Sequence, residues 1–251
     1  MDTATKIRDL IEDIVAANRI LAAENVVDAY GHVSARHPEN PDHNLIARAL
    51  PPELITAEDI MEISLDGEVL GGDTRKPYLE RYIHGAIYEA RPDVKSVVHS
   101  HSHSVIPYSV TDEKLRPIVH SCATIGCHIP VWDAQTAFGD TNLLISSMAM
   151  GRDFAKCLGQ DSAALMRGHG CTVIGRSLRE AVYTAVYLEV NAGLQMQASR
   201  FPPVKFLTEG EVKIICERLA NAKPKEGYDR AWEYWCRHAG VEARYRTSDS
   251  I

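Results

Sequence analysis

With 251 residues, 45% hydrophobic and 24% charged, the chain is long enough to bury a complete core as one domain over 1–251. A formal net charge of −7, with no Lys/Arg run to offset it locally, argues against nucleic acid and anionic membrane as partners. The opening MDTATKIRDLIEDIV carries acidic residues throughout and no unbroken apolar stretch, so no signal peptide or membrane span is expected there, and the expected location is cytoplasmic.

From Lys6 to Ala23 the residues Ile7, Leu10, Ile11, Ile14, Val15 and Leu21 recur at helical spacing and predict an amphipathic helix. The stretch from Tyr30 to Pro52, rich in Gly, Pro, His and Asn, predicts loop with short extended pieces such as Leu45-Ile46-Ala47. Ile60 to Leu65 predicts a strand, and Asp66-Gly67 a tight turn returning through Glu68-Val69-Leu70 as a hairpin. Residues 78–90 place Leu79, Tyr82, Ile83, Ala86 and Ile87 on one helical face, which Arg91-Pro92 ends, and Val94 to His99 reads as a buried strand.

Further strands are expected at Pro117–His120, Ile129–Trp132, Ala163–Met166 and Cys171–Ile174, with a helix between Leu143 and Leu158. Ser177 with Glu180, and Thr208 with Glu211, spell capping boxes that open two later helices. The Phe201-Pro202-Pro203 bend sets off a helical tail from about residue 204, where Trp232, Tyr234 and Trp235 read as packing or a subunit contact. This order predicts an α/β fold of three α/β/α layers around a mostly antiparallel sheet. The scattered cysteines, with no C-x-x-C pair, read as small apolar filler.

The sharpest chemical signal is Val97-Val98-His99-Ser100-His101-Ser102-His103. A strand's period of two puts His99 and His101 on one face, and His103 too if the strand continues. Neutral imidazoles suit a divalent first-row metal, and catalytic zinc sites commonly use three protein ligands with one position open. Alone, H-x-H also fits satisfied or surface histidines. His169, between glycines in Arg167-Gly168-His169-Gly170, supplies a third candidate ligand. His32, His84, His120 and His128 stay open between substrate contact, support and core. Glu80 opens the helix before the histidine strand and reads either as a capping carboxylate or as a general acid/base beside the metal.

Together these motifs resemble the class II aldolase/adducin family over about residues 7–200. The family's G-N-x-S-x-R appears as Gly31-His32-Val33-Ser34-Ala35-Arg36. Its P-S-S-E appears as Pro77-Tyr78-Leu79-Glu80, followed by His84-Gly85-Ala86-Ile87-Tyr88. Its V-V-H-T-H-S appears as Val97-Val98-His99-Ser100-His101-Ser102, and its later H-G as His169-Gly170. The resemblance implies one divalent metal per subunit on His99, His101 and His169, zinc first and manganese or another first-row metal second. It also implies a catalytic Glu80 and a homo-oligomer, a tetramer or larger, with active sites at subunit interfaces.

His32, Tyr78 and Leu79 stand where the sugar-phosphate enzymes of the family carry small donors. Bulk there crowds a phosphate and removes donors it needs. The pattern is closer to the subgroup that decarboxylates hydroxylated aromatic acids and ring-cleavage dienoates, the 3,4-dihydroxyphthalate decarboxylase type. A small carboxylic acid is the expected substrate, with Arg48 on its carboxylate, His32 and Ser34 on its other oxygens, and Tyr183 or Tyr187 reaching in from the long helix. An aldolase acting on an unphosphorylated hydroxy-oxo acid is the nearest alternative, and a non-catalytic adducin-like module the next.

Overall fold

The computed structural model describes residues 2–243. Helix α1 (Thr3–Ala23) is capped by Asp2, whose side chain accepts from the Thr5 N–H, and it buries Leu10, Ile14, Ala17 and Leu21 along one stripe. Three strands follow: β1 (His32–Arg36), β2 (His43–Ala47) and β3 (Ile60–Ser64). The return after Asp66-Gly67 is narrower than a hairpin strand, an isolated bridge of Ile63 with Val69.

Helix α2 (Arg81–Ala90) leads into β4 (Ser96–Ser100). Two short helices, α3 (Ile106–Ser109) and α4 (Ala134–Phe138), flank the two-residue β5 (Val131–Trp132). Then come α5 (Met148–Leu158), β6 (Ala163–Met166), β7 (Gly170–Gly175), α6 (Leu178–Ala198), α7 (Glu209–Ala220) and α8 (Tyr228–His238). The sheet runs β3-β2-β1-β4-β7-β6-β5, antiparallel at every pairing except β5 with β6.

Strand alternation divides the core in two and produces the three layers. Val33, Ala35, Val98, Leu165 and Val173 pack with α1, α6 and α8, whereas Val97, Ala164, Met166 and Ile174 pack with α2 and α5. The α8 end of the tail joins the first layer: Trp232 and Trp235 are buried against it, whereas Tyr234 stands out in solvent. β1, β4 and β7 are buried along their whole length, as central strands covered on both faces must be.

Several local expectations change. Residues 117–120 form no strand, because α6 satisfies that backbone with side chains. Asn191 takes the Ile118 N–H and donates to the Arg116 carbonyl, while Gln195 takes the Arg116 N–H and donates to the Lys114 carbonyl. A 3-10 turn, His120–Ile125, follows. α5 starts at Met148, where the extended Ser147 caps it by accepting from the Met150 N–H; Leu143, at φ 65°, stays outside the helix. At α6, Ser177 caps the Glu180 N–H but Glu180 reaches back to the Arg176 N–H, so the box is offset by one residue. At α7 the reciprocal pair of Thr208 and Glu211 is complete.

Candidate metal centre and active site

The three histidines reach one point from two neighbouring strands. His99 lies in β4 and faces the α2 layer with Val97. β4 ends at Ser100, so His101 turns over the strand's end, and His103 is exposed and off that face. His169 sits at the tip of the β6–β7 hairpin, in a turn closed by its N–H to the Met166 carbonyl. Gly168 before it has φ 65°, a conformation that L side chains rarely adopt. Gly170 after it lies against β4, where a Cβ would collide with the Ser100 carbonyl oxygen and stand 3.1 Å from His101 Cδ2.

Glu80 precedes the first turn of α2 but caps nothing with its side chain. Its Oε1 accepts from the Ile145 N–H at 3.0 Å, and its Oε2 lies 3.5 Å from both His99 Nε2 and His169 Nε2. One atom each from Glu80, His99, His101 and His169 falls within 4.8 Å of the others. The capping reading of Glu80 therefore gives way to a carboxylate aimed at the histidines.

Three observations fit a cation at that point. His99 Nε2 is buried without a hydrogen-bond partner, a costly state for an imidazole nitrogen unless a ligand completes it. His101 Nε2 and His169 Nε2 face each other at 2.9 Å. His169 Nδ1 donates to the Leu143 carbonyl at 2.8 Å, which fixes its proton there and leaves Nε2 as the basic atom turned inward. Burial, then His99 and His169, pushes His101 down to about 4, so it is neutral at pH 7. Burial alone raises the Glu80 carboxyl, but the nearness of the His99 and His169 rings outweighs it and holds it well below the usual carboxylate range.

Beside this cluster opens a cavity of about 670 Å³, lined by Tyr30, His32, Tyr78, Leu79, Glu80, His101 and Leu144, a size suited to a small organic ligand. His32 pairs with His99 across the β1–β4 ladder and so stands next to the cluster. Tyr78 is anchored by its hydroxyl to the Leu50 carbonyl at 2.5 Å. Three other expected substrate contacts do not reach the cavity. Ser34 is fully buried and bonded to His84 and Tyr88. Arg48 gives its Nε to Asp59 at 2.7 Å, on the outer side of the segment whose Ala49, Leu50 and Pro51 do line the cavity. Tyr183 is packed among Tyr187, Tyr228 and Trp235 in the opposite layer. His120 is exposed, and His128 pairs with Asp161 at 2.6 Å on the surface.

The sequence pattern of the class II aldolase and adducin N-terminal domain matches residues 12–196. The chain belongs to this family. Within the class II aldolase/adducin family it is 32% identical to Decarboxylase tropJ of Talaromyces stipitatus, across 94% of this chain and 96% of that protein. It is 28% identical to 3,4-dihydroxyphthalate decarboxylase of Arthrobacter keyseri, across 75% of this chain and 78% of that one. Among solved structures, L-fuculose 1-phosphate aldolase from Glaciozyma antarctica PI12 superposes with a TM-score of 0.75 at 26% identity, covering 97% of this chain and 95% of that one. Like these class II aldolase/adducin relatives, the chain is a lyase, of decarboxylase or aldolase type. Among its described residues no helix is long and apolar enough to cross a membrane.

Proposed function

We propose that the protein is a metal-dependent decarboxylase of a hydroxylated aromatic carboxylic acid or a carboxylated ring-cleavage dienoate. The observation that carries this is the convergence of His99, His101, His169 and Glu80 beside a cavity lined by His32, Tyr78 and Leu79, where the family's sugar-phosphate motifs have small donors. The likeness to two decarboxylases supports it. Bulky side chains at those positions disfavour a sugar phosphate and leave room for a flat, doubly oxygenated acid.

His99, His101 and His169 would hold the cation, zinc first and manganese or another first-row metal second. When bound, the ion supplies Lewis-acid stabilisation of negative charge on a substrate oxygen. Glu80 carries the proton. Ionised at rest, it takes the proton of a substrate hydroxyl. The bond to the departing carboxylate then breaks, with its electron pair left on the substrate, and Glu80 returns the proton to the carbon that lost carbon dioxide. Solvent reprotonates the product oxygen. The Ile145 N–H on Oε1 keeps the carboxylate turned so that Oε2 is the working atom. His32 contributes a ring nitrogen to the substrate oxygens. Leu79 and Tyr30, exposed at the cavity's mouth, suit a homo-oligomer in which a second copy completes the site.

The test has two parts. Purified wild type is expected to carry about one divalent ion per chain, and His101→Ala close to none; equal near-zero content in both refutes the metal centre. Dihydroxybenzoates, dihydroxyphthalates and carboxylated dienoates are then screened for carbon dioxide release. Release of an aldehyde together with an enolisable fragment, without carbon dioxide, identifies the chain as an aldolase instead.

A further inference from the structure

Behind His32 runs a buried file of side chains that the proton transfers above do not use. The Tyr88 hydroxyl is 2.7 Å from Ser34 Oγ, Ser34 Oγ is 2.6 Å from His84 Nδ1, and His84 Nε2 is 2.6 Å from His32 Nδ1. Strand period two places His32 and Ser34 on one face of β1, and helical spacing of four places His84 and Tyr88 on the facing stripe of α2. Ser34 and His84 are 0% exposed and Tyr88 is 1% exposed, so water does not substitute for any of these partners. Only His32, at the far end, borders the cavity.

A chain of such groups has two self-consistent proton orders. In one, Tyr88 donates to Ser34, Ser34 to His84 Nδ1, and His84 Nε2 to His32 Nδ1, which puts the His32 proton on Nε2. In the reverse order His84 Nδ1 donates to Ser34 and Ser34 to Tyr88. The phenolic proton then has nowhere to go, since Ser34 Oγ is the one acceptor given to it among the described residues. A buried hydroxyl proton without an acceptor costs about 1–3 kcal/mol, so the first order prevails. Burial raises the Tyr88 phenol, which keeps its proton, and burial and then His99 push His84 down to about 3, which keeps it to a single proton.

We propose that Tyr88, Ser34 and His84 are positioning residues that lock His32 as the Nε2–H tautomer, so that it presents a hydrogen-bond donor to an anionic carboxylate or phenolate oxygen in the cavity. The nature of that oxygen rests on the lyase reading; the tautomer does not. Placing this donor inside a buried, pre-oriented file spares the substrate the cost of turning it.

The experiment uses the full-length, zinc-loaded protein with isotope-labelled histidine and long-range proton–nitrogen correlation spectra, with His32 and His84 assigned from His32→Gln and His84→Gln. Both rings are expected to carry their proton on Nε2. A proton on Nδ1 of His32 overturns the proposal. In Tyr88→Phe, which keeps the ring's packing, the His32 tautomers are expected to mix, and an unaltered single tautomer removes Tyr88 from the file. With whichever hydroxylated acid is turned over, KM is expected to rise at least about tenfold in His32→Phe and under about threefold in His32→Gln, whose amide still donates. Equal losses in the two variants refute the donor role. If no acid releases carbon dioxide the decarboxylase reading fails, while the spectra still decide this one.

Discussion

Gly170 tests whether the two strands set the metal centre. In Gly170→Ala the new methyl meets the Ser100 carbonyl at bonding-like range and presses on the His101 ring at 3.1 Å. Relief requires β4 and β7 to part, or the His169 turn to lift, by on the order of 1 Å. Overpacking of this kind costs about 1–3 kcal/mol of stability, and displacement of a ligand's support typically costs 10–100-fold in metal affinity. Competition against a zinc chelator is therefore expected to show roughly 10–100-fold weaker binding. Gly175→Ala is the control. It lies at the other end of the same strand, where a Cβ would crowd Ser177 and Ala181 far from the histidines, so it should destabilise comparably and leave affinity unchanged. Wild-type affinity in Gly170→Ala, or equal weakening in both, refutes the reasoning.

Glu80→Gln should keep its metal, because three imidazoles remain, and lose about 10²–10⁴-fold in kcat, the usual worth of a positioned acid/base; single-turnover rates beside metal content check this. Arg48→Ala should change KM by less than about threefold, since the guanidinium is held by Asp59 outside the cavity, and a tenfold rise would restore it as a carboxylate partner. Acidification should unfold the metal-free protein through His84. Its pKa is about 3 when folded and near 6.5 when unfolded, so the unfolded chain binds the extra proton, and stability is complete above about pH 6.5 and declines toward pH 3. The slope is on the order of 1 kcal/mol per pH unit. Denaturant titrations from pH 7 to 4, with chelator present, should show a shallower slope in His84→Gln, and parallel slopes refute the assignment.

The histidine cluster was legible because short spacings encode it: two histidines one residue apart at a strand's end, and a third between glycines, whose side chains the fold brings together with Glu80. Glu80 was legible as a residue but ambiguous in direction, since the path of residues 143–145 turns its carboxylate from the helix end toward the histidines. β1 was harder to see. His32, Ser34 and Arg36 alternate with Val33 and Ala35, but a polar face usually signals water or loop, whereas here His84, Tyr88 and the backbone carbonyls around Arg36 bury and satisfy it. That partnership joins residues about fifty positions apart and leaves no local trace. Arg48 and Tyr183 lie away from the cavity for a related reason: nearness to a motif along the chain does not fix which way a side chain points. The tail aromatics read as packing or a subunit contact, and Trp232 and Trp235 do pack into the core while Tyr234 is exposed.

One short stretch of backbone, Leu143 to Ile145, grips both halves of the chemistry. Its first carbonyl holds the imidazole of His169, its last N–H holds the carboxylate of Glu80, and the Leu144 side chain between them borders the cavity. Thr141 and Asn142 brace this tripeptide by accepting from the Leu143 and Leu144 N–H groups, so an insertion inside it would shift His169 and Glu80 together. Part of the pocket's wall and the supports of two groups beside it are thus one piece of backbone.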